Sequence, residues 1–174
     1  MRRSIVRGLA AGAAGTTALH AVTYLDMVLR GRPASRTPEQ SVTRLADLAG
    51  VKIPARGRDN RVSGAGALLG IVSGLVVGAG YGAIRAAGWR PSVTTAGAVA
   101  TVGAIAVSAA PMAAIGVSDP RDWSFSDWVA DVVPHLAYGW VTTATYAAML
   151  DRGEPGQRSV HPNEMRDALS GRDS

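Results

Sequence analysis

The sequence predicts an all-α integral membrane bundle of four transmembrane helices with a short amphipathic helix in its first loop. Three observations lead there. Val62 to Ile84 holds no charged residue for 23 positions and Pro91 to Ser118 none for 28; each run exceeds the ~20 residues that cross a hydrocarbon core. Gly8 to Leu25 and Val132 to Leu150 are uncharged runs of 18 and 19 positions that contain His20 and His135. Charge, third, collects between these blocks, as it does where a chain leaves lipid for water. The predicted spans are residues 5–29, 62–85, 92–117 and 127–150, forming one domain over 1–150.

The first span follows Arg2, Arg3 and Arg7. A secretory signal begins in the same way, but His20, Tyr24 and Asp26 are foreign to one and no small-residue cleavage pattern follows. Gly8, Gly12, Thr16, His20 and Tyr24 recur every four residues, which puts them on one face. The loop 30–61 carries eight Lys/Arg against three acids. Within it Thr37, Pro38 and Glu39 read as a helix start and Gly50 as a stop, while Val42, Leu45 and Leu48 repeat every three residues. That pattern fits a helix on the membrane surface with arginine heads toward anionic lipid phosphates, and equally a solvated loop helix.

In the second span Gly66, Gly70, Gly74, Gly78 and Gly82 form a glycine zipper along ~24 Å of helix axis. No hydrophobic force presses helices together in lipid, so close backbone approach at small residues supplies the packing. A neighbouring helix is expected over this face, and the face of Gly8 and Gly12 in the first span is its natural partner. The third span is rich in small residues and contains Pro111, which should kink it near its end. Trp89 precedes that span and Trp123 and Trp128 follow it, in keeping with indole at membrane interfaces. Beyond Asp151 a polar tail over 151–174, including His161, is expected to be mobile.

The net charge of +5 comes from 17 Arg and one Lys, and cysteine is absent. Disulfides and thiolate metal sites are thereby excluded. An Ala/Gly/Arg-rich composition points to a bacterial genome of high GC content. Because the basic residues adjoin apolar spans, lipid headgroups and not nucleic acid are the expected partner, with a homo-oligomer or another membrane protein as further candidates. Orientation is undecided: with the N-terminus inside, each side of the membrane receives nine Lys/Arg.

Asp127, Asp131 and His135 fall four residues apart in the last span, a shallow spiral over ~12 Å of one face. Asp127 suits a first helical turn, where carboxylates are favoured. Asp131 is deeper. A carboxylate at the membrane centre costs ~2.5–3.5 kcal/mol on insertion scales, so it needs a partner or a proton, and His135 is the nearest. His20 and Asp26 in the first span form a second polar pair. If the first and last spans pack together, these five groups are in position to converge.

At these residues the chain resembles the bacterial YagU-like family of inner-membrane proteins. The resemblance covers most of the chain: the glycine-rich first span leading to RGRPASRTPE, AGYGAIRAAG before the third span, PMAAIGVSDPRDW after it, and acid-x3-acid-x3-His at Asp127, Asp131 and His135 followed by LAYGW. Gly31, Arg32 and Pro33 only approximate the family's Pro-Pro-Arg exit, and the long interhelical segment is shorter here. The resemblance implies a multi-pass inner-membrane fold and no established reaction.

Three functions fit the residues. The first is proton or small-solute handling, or pH sensing, through Asp131 and His135. The second is a structural or partner-binding membrane protein in which the stripe fixes helix register. The third is a metal-dependent enzyme, ranked last because two histidines are a thin ligand supply and no HExxH pattern occurs. No nucleotide-cradling loop or hydrolase elbow is present, so no cofactor and no catalytic residue are expected.

Overall fold

Each long apolar block closes into one helix, and the glycines between them end it. In the computed structural model, which describes residues 1–151, five α-helices are found among the described residues: α1 (Arg2–Arg30), α2 (Thr37–Leu48), α3 (Arg58–Ala86), α4 (Val93–Ala114) and α5 (Phe125–Asp151), with a 3-10 turn at Pro120–Asp122. No strand occurs among the described residues. Gly31 (φ +63°) ends α1 and Gly57 (φ +68°) precedes α3, in a left-handed conformation that costs only glycine nothing. Ser92 caps α4 by accepting the Thr95 amide at 3.1 Å.

The four long helices run alternately up and down. Ser4 lies opposite Gly82 and Gly12 opposite Gly74, so α1 and α3 are antiparallel; Gly15 meets Tyr138 and Arg30 meets Ser126, so α1 and α5 are too. The antiparallel α4–α5 pair joins Gly97 to Trp140 and Ser108 to His135. α1 is thus clasped between α3 and α5, and α5 between α1 and α4. A Cβ on Gly12 would lie 2.7 Å from the Gly74 carbonyl oxygen, and one on Gly78 2.6 Å from the Gly12 Cα. Gly82 is held against Ser4 and Gly8 in the same way. The glycine face is not covered along its whole length: a Cβ on Gly66 would lie 3.1–3.3 Å from Pro38 and Glu39 of α2, while Gly70 faces open space. The α1 and α2 footprints leave that one position between them.

α2 lies across the N-terminal half of α3 with Ser41 buried, and its Leu45 and Leu48 stay exposed. The exposed Arg44 donates from Nε to the Ile115 carbonyl at 3.1 Å, satisfying an acceptor at the end of α4. Trp89 sits at one end of the bundle against Tyr81, and Trp123 and Trp128 stack edge-on at the other, with centroids 5.0 Å apart. The predicted tail beyond Asp151, with His161, lies outside the described residues.

The interior is small and partly polar. Ala11, Ala96, Ala100, Ala104, Thr16, Thr101, Thr142 and Thr143 are buried, with Tyr81, Tyr138 and Tyr146 as the large residues among them. Leucine and valine point the other way: Leu68 is 63% exposed, Val76 56% and Val102 65%. A water-soluble domain buries such residues first. α3 and α4 are each long and apolar enough to cross a membrane, and only 22% and 33% of their most apolar stretches are buried.

Candidate functional site

Asp127 closes the start of α5. Its carboxylate accepts from the Ser124 amide at 2.9 Å and hydroxyl at 2.6 Å, and the Ser124 hydroxyl accepts the Asp127 amide at 3.2 Å. This reciprocal pair is a capping box with aspartate in the acid position, satisfying amides that the helix itself leaves free.

One and two turns deeper, Asp131 and His135 face the seam with α4. The His135 Nδ1 lies 2.7 Å from the Asp131 backbone carbonyl and 3.5 Å from its carboxylate Oδ2. A carbonyl only accepts, so Nδ1 carries a hydrogen. On the far side of the ring, Nε2 lies 3.5 Å from the Ser108 hydroxyl of α4, which is itself 3.0 Å from the Ile105 carbonyl. Asp131 Oδ2 is buried with no hydrogen-bond partner of its own. Pro134, next to His135, cannot supply the amide that Ala130 would otherwise accept, and Pro111 does the same to α4 close to Ser108. Both helices are therefore short of a backbone hydrogen bond at the level of the polar seam.

The five polar groups do not form one cluster. Asp26 is bound by two arginines of its own chain segment, Arg30 (Nε to Oδ1 2.6 Å) and Arg32, and Arg30 goes on to the Ser126 hydroxyl at 3.2 Å. That ion pair ties the exit of α1 to the start of α5 and uses up the carboxylate. His20 stacks obliquely on Tyr24, centroids 6.0 Å apart. Among the described residues no three His, Asp or Glu side chains are arranged to hold a metal.

Three participants were not singled out from sequence. Ser108 is the only serine inside α4, a signal that was available but that a hydroxyl in an Ala/Val run does not raise above background. Tyr138 is 1% exposed and donates to the Gly74 carbonyl at 2.6 Å, joining α5 to α3 across the α1 seam. At the opposite end, Arg85 lies over the Tyr146 ring, 5.4 Å from its centroid, and donates to the Tyr81 hydroxyl at 3.1 Å. Comparison with known proteins finds no matching family model, no matching curated protein and no matching solved structure.

Proposed function

We propose that this chain is a multi-pass bacterial inner-membrane protein of the YagU-like kind it resembles, in which α1, α3, α4 and α5 all span and the Asp131–His135 pair handles or senses protons. The outward-facing leucines and valines around a small, polar interior support the spanning part of the reading. One observation carries the proton part: a buried carboxylate oxygen without a hydrogen-bond donor sits 3.5 Å from a histidine nitrogen that bears a hydrogen.

The hydrogen bonds set out what proton transfer would require. Ser108 has one hydroxyl hydrogen and two acceptors within reach, the Ile105 carbonyl and His135 Nε2. With the ring doubly protonated, Nε2 donates to Ser108 and Ser108 donates to Ile105, so each is satisfied. Transfer of the Nδ1 hydrogen to Asp131 Oδ2 neutralises both partners and keeps the Nε2–Ser108–Ile105 bonds, but it gives up the bond from Nδ1 to the Asp131 carbonyl, so the ring must turn from that oxygen as the proton leaves. Loss of the Nε2 hydrogen instead turns the Ser108 hydroxyl from Ile105 to the ring, which couples the charge of α5 to a bond within α4.

Purified protein in liposomes loaded with a pH-sensitive dye tests this. The parent chain is expected to pass protons faster than empty vesicles, with Asp131→Asn and His135→Ala both reduced to the empty-vesicle rate. A parent rate equal to that of empty vesicles removes proton transport. The structural reading is favoured by the 2.7 Å bond from His135 to its own helix backbone; its signature is loss of bundle assembly in His135→Ala with no flux in the parent.

A further inference from the structure

At the end of the bundle opposite α2, three helices and a loop enclose a cleft of about 190 Å³ lined by Ser4, Arg85, Arg90, Tyr146 and Leu150. We propose that this cleft is a binding site for a phosphate group, with Arg85 as its principal ligand. Arg85 is rigidly placed: its guanidinium stacks on the Tyr146 ring, 5.4 Å from the centroid, and Nη1 donates to the Tyr81 hydroxyl at 3.1 Å. Tyr81 and Tyr146 are themselves locked edge to face with centroids 5.2 Å apart. Stacking engages the face of a guanidinium and leaves its in-plane donors to other partners, of which Nη1 takes the Tyr81 hydroxyl. Another donor, Nε, is buried and has no hydrogen-bond partner. Among the described residues no carboxylate forms an ion pair with Arg85 or Arg90.

An arginine that lines a cleft and has no carboxylate partner calls for an acceptor with charge, and its guanidinium can give a phosphate group charge-assisted hydrogen bonds. The exposed Arg90 adds a second positive charge to the same rim. The cleft is smaller than the ~300 Å³ at which pockets enclose whole drug-sized ligands, so it takes a headgroup and leaves the rest of the molecule outside. Ala86 and Leu150 on its rim suit the glycerol and acyl part of a phospholipid. A soluble phosphate offers the same chemistry without that contact.

Equilibrium binding to the full chain in an uncharged maltoside detergent distinguishes these. Dihexanoylphosphatidylglycerol, inorganic phosphate and phosphate-free dihexanoylglycerol are titrated against the parent, Arg85→Gln and Arg36→Gln, the last at the far end of the bundle. Saturable binding of the phospholipid, weakened about tenfold or more in Arg85→Gln and unchanged in Arg36→Gln, supports a lipid headgroup site. Inorganic phosphate binding with the same loss in Arg85→Gln supports the site with a free phosphate as its source. Absence of saturable binding by either phosphate probe, equal binding of dihexanoylglycerol and the phospholipid, or an Arg85→Gln variant that binds like the parent overturns the proposal. Should Arg85→Gln fail to fold, the exposed Arg90→Gln decides: an affinity within twofold of the parent overturns the site, and a greater loss supports it.

Discussion

A methyl group at position 78 has no room. The nearest atoms are backbone, the Gly8 carbonyl oxygen and the Gly12 Cα at 2.6 Å, and backbone cannot rotate aside as a side chain does. Gly78→Ala is therefore expected to force α1 and α3 apart and to destabilise the detergent-solubilised bundle by about 1–3 kcal/mol in a denaturant titration, the usual range for overpacking. Gly70→Ala shares the helix, the period and the chemistry but meets nothing within 4 Å. It should be neutral or more stable, by up to about 1 kcal/mol from helix propensity alone. Equal losses at both positions would mean that the α1–α3 contact does not exist in the folded protein. The four-residue glycine period is legible in the sequence because the helical repeat is a property of the backbone. Which glycines are in contact is not, since that depends on where α1 crosses α3 and where α2 comes down, and both are set by residues distant in the chain.

The elements keep their register through their ends. The connection from α4 to α5 turns at Asp119, whose carboxylate accepts the Arg121 amide at 2.9 Å and its guanidinium at 2.6 Å. The Arg121 guanidinium and amide hold the Asp119 carboxyl at about 2, below its ordinary 3.8. A carboxyl lowered in the folded chain contributes its stabilisation above the unfolded value and loses it as the pH falls through the folded one, so the turn should loosen between about pH 4 and pH 2. A carbon-13 carboxyl titration is expected to give a midpoint near the lower value in the parent and a higher one in Arg121→Gln, still below the ordinary value because the amide remains; no difference between the two would remove the pair. The Ser124–Asp127 box follows a few residues later, and from sequence Asp127 already reads as a first-turn carboxylate because the helix N-terminus alone favours one there. The neighbour of His135 could not be read in this way. The spacing of Asp131 and His135 fixes that they share a face, but the rotation of α5 about its axis determines that the face meets Ser108 of α4, whereas His20 and Asp26 lie on α1, on the other side of α5.

At the scale of the whole molecule the distribution of side chains is inverted, with alanine, glycine and threonine inside and, Val62 apart, many leucines and valines outside. This arrangement suits a solvent as apolar as the side chains that face it, where packing of small residues and not burial of large ones holds helices together. α3 and α4 are long and apolar enough to cross a membrane on their own. α1 and α5 are 29 and 27 residues long, reach ~40 Å at 1.5 Å per residue, and pack against each other, α1 also on α3 and α5 also on α4. The natural absence of cysteine allows a decisive test, because single introduced thiols are the only ones present. If all four long helices cross, Arg3→Cys, Arg90→Cys and Asp151→Cys are expected to react with an impermeant maleimide from one side of the membrane, and Arg36→Cys and Arg121→Cys from the other. If α3 and α4 alone cross, positions 3 and 151 change sides and label with 36 and 121, while 90 stays by itself. The second pattern would leave α1 and α5 out of the bilayer, place Asp131 and His135 in water, and end the proton reading along with the four-span fold. The first would put a half-buried carboxylate with one unpartnered oxygen inside the membrane, where a proton exchanged with His135 changes the stability of the α4–α5 seam directly.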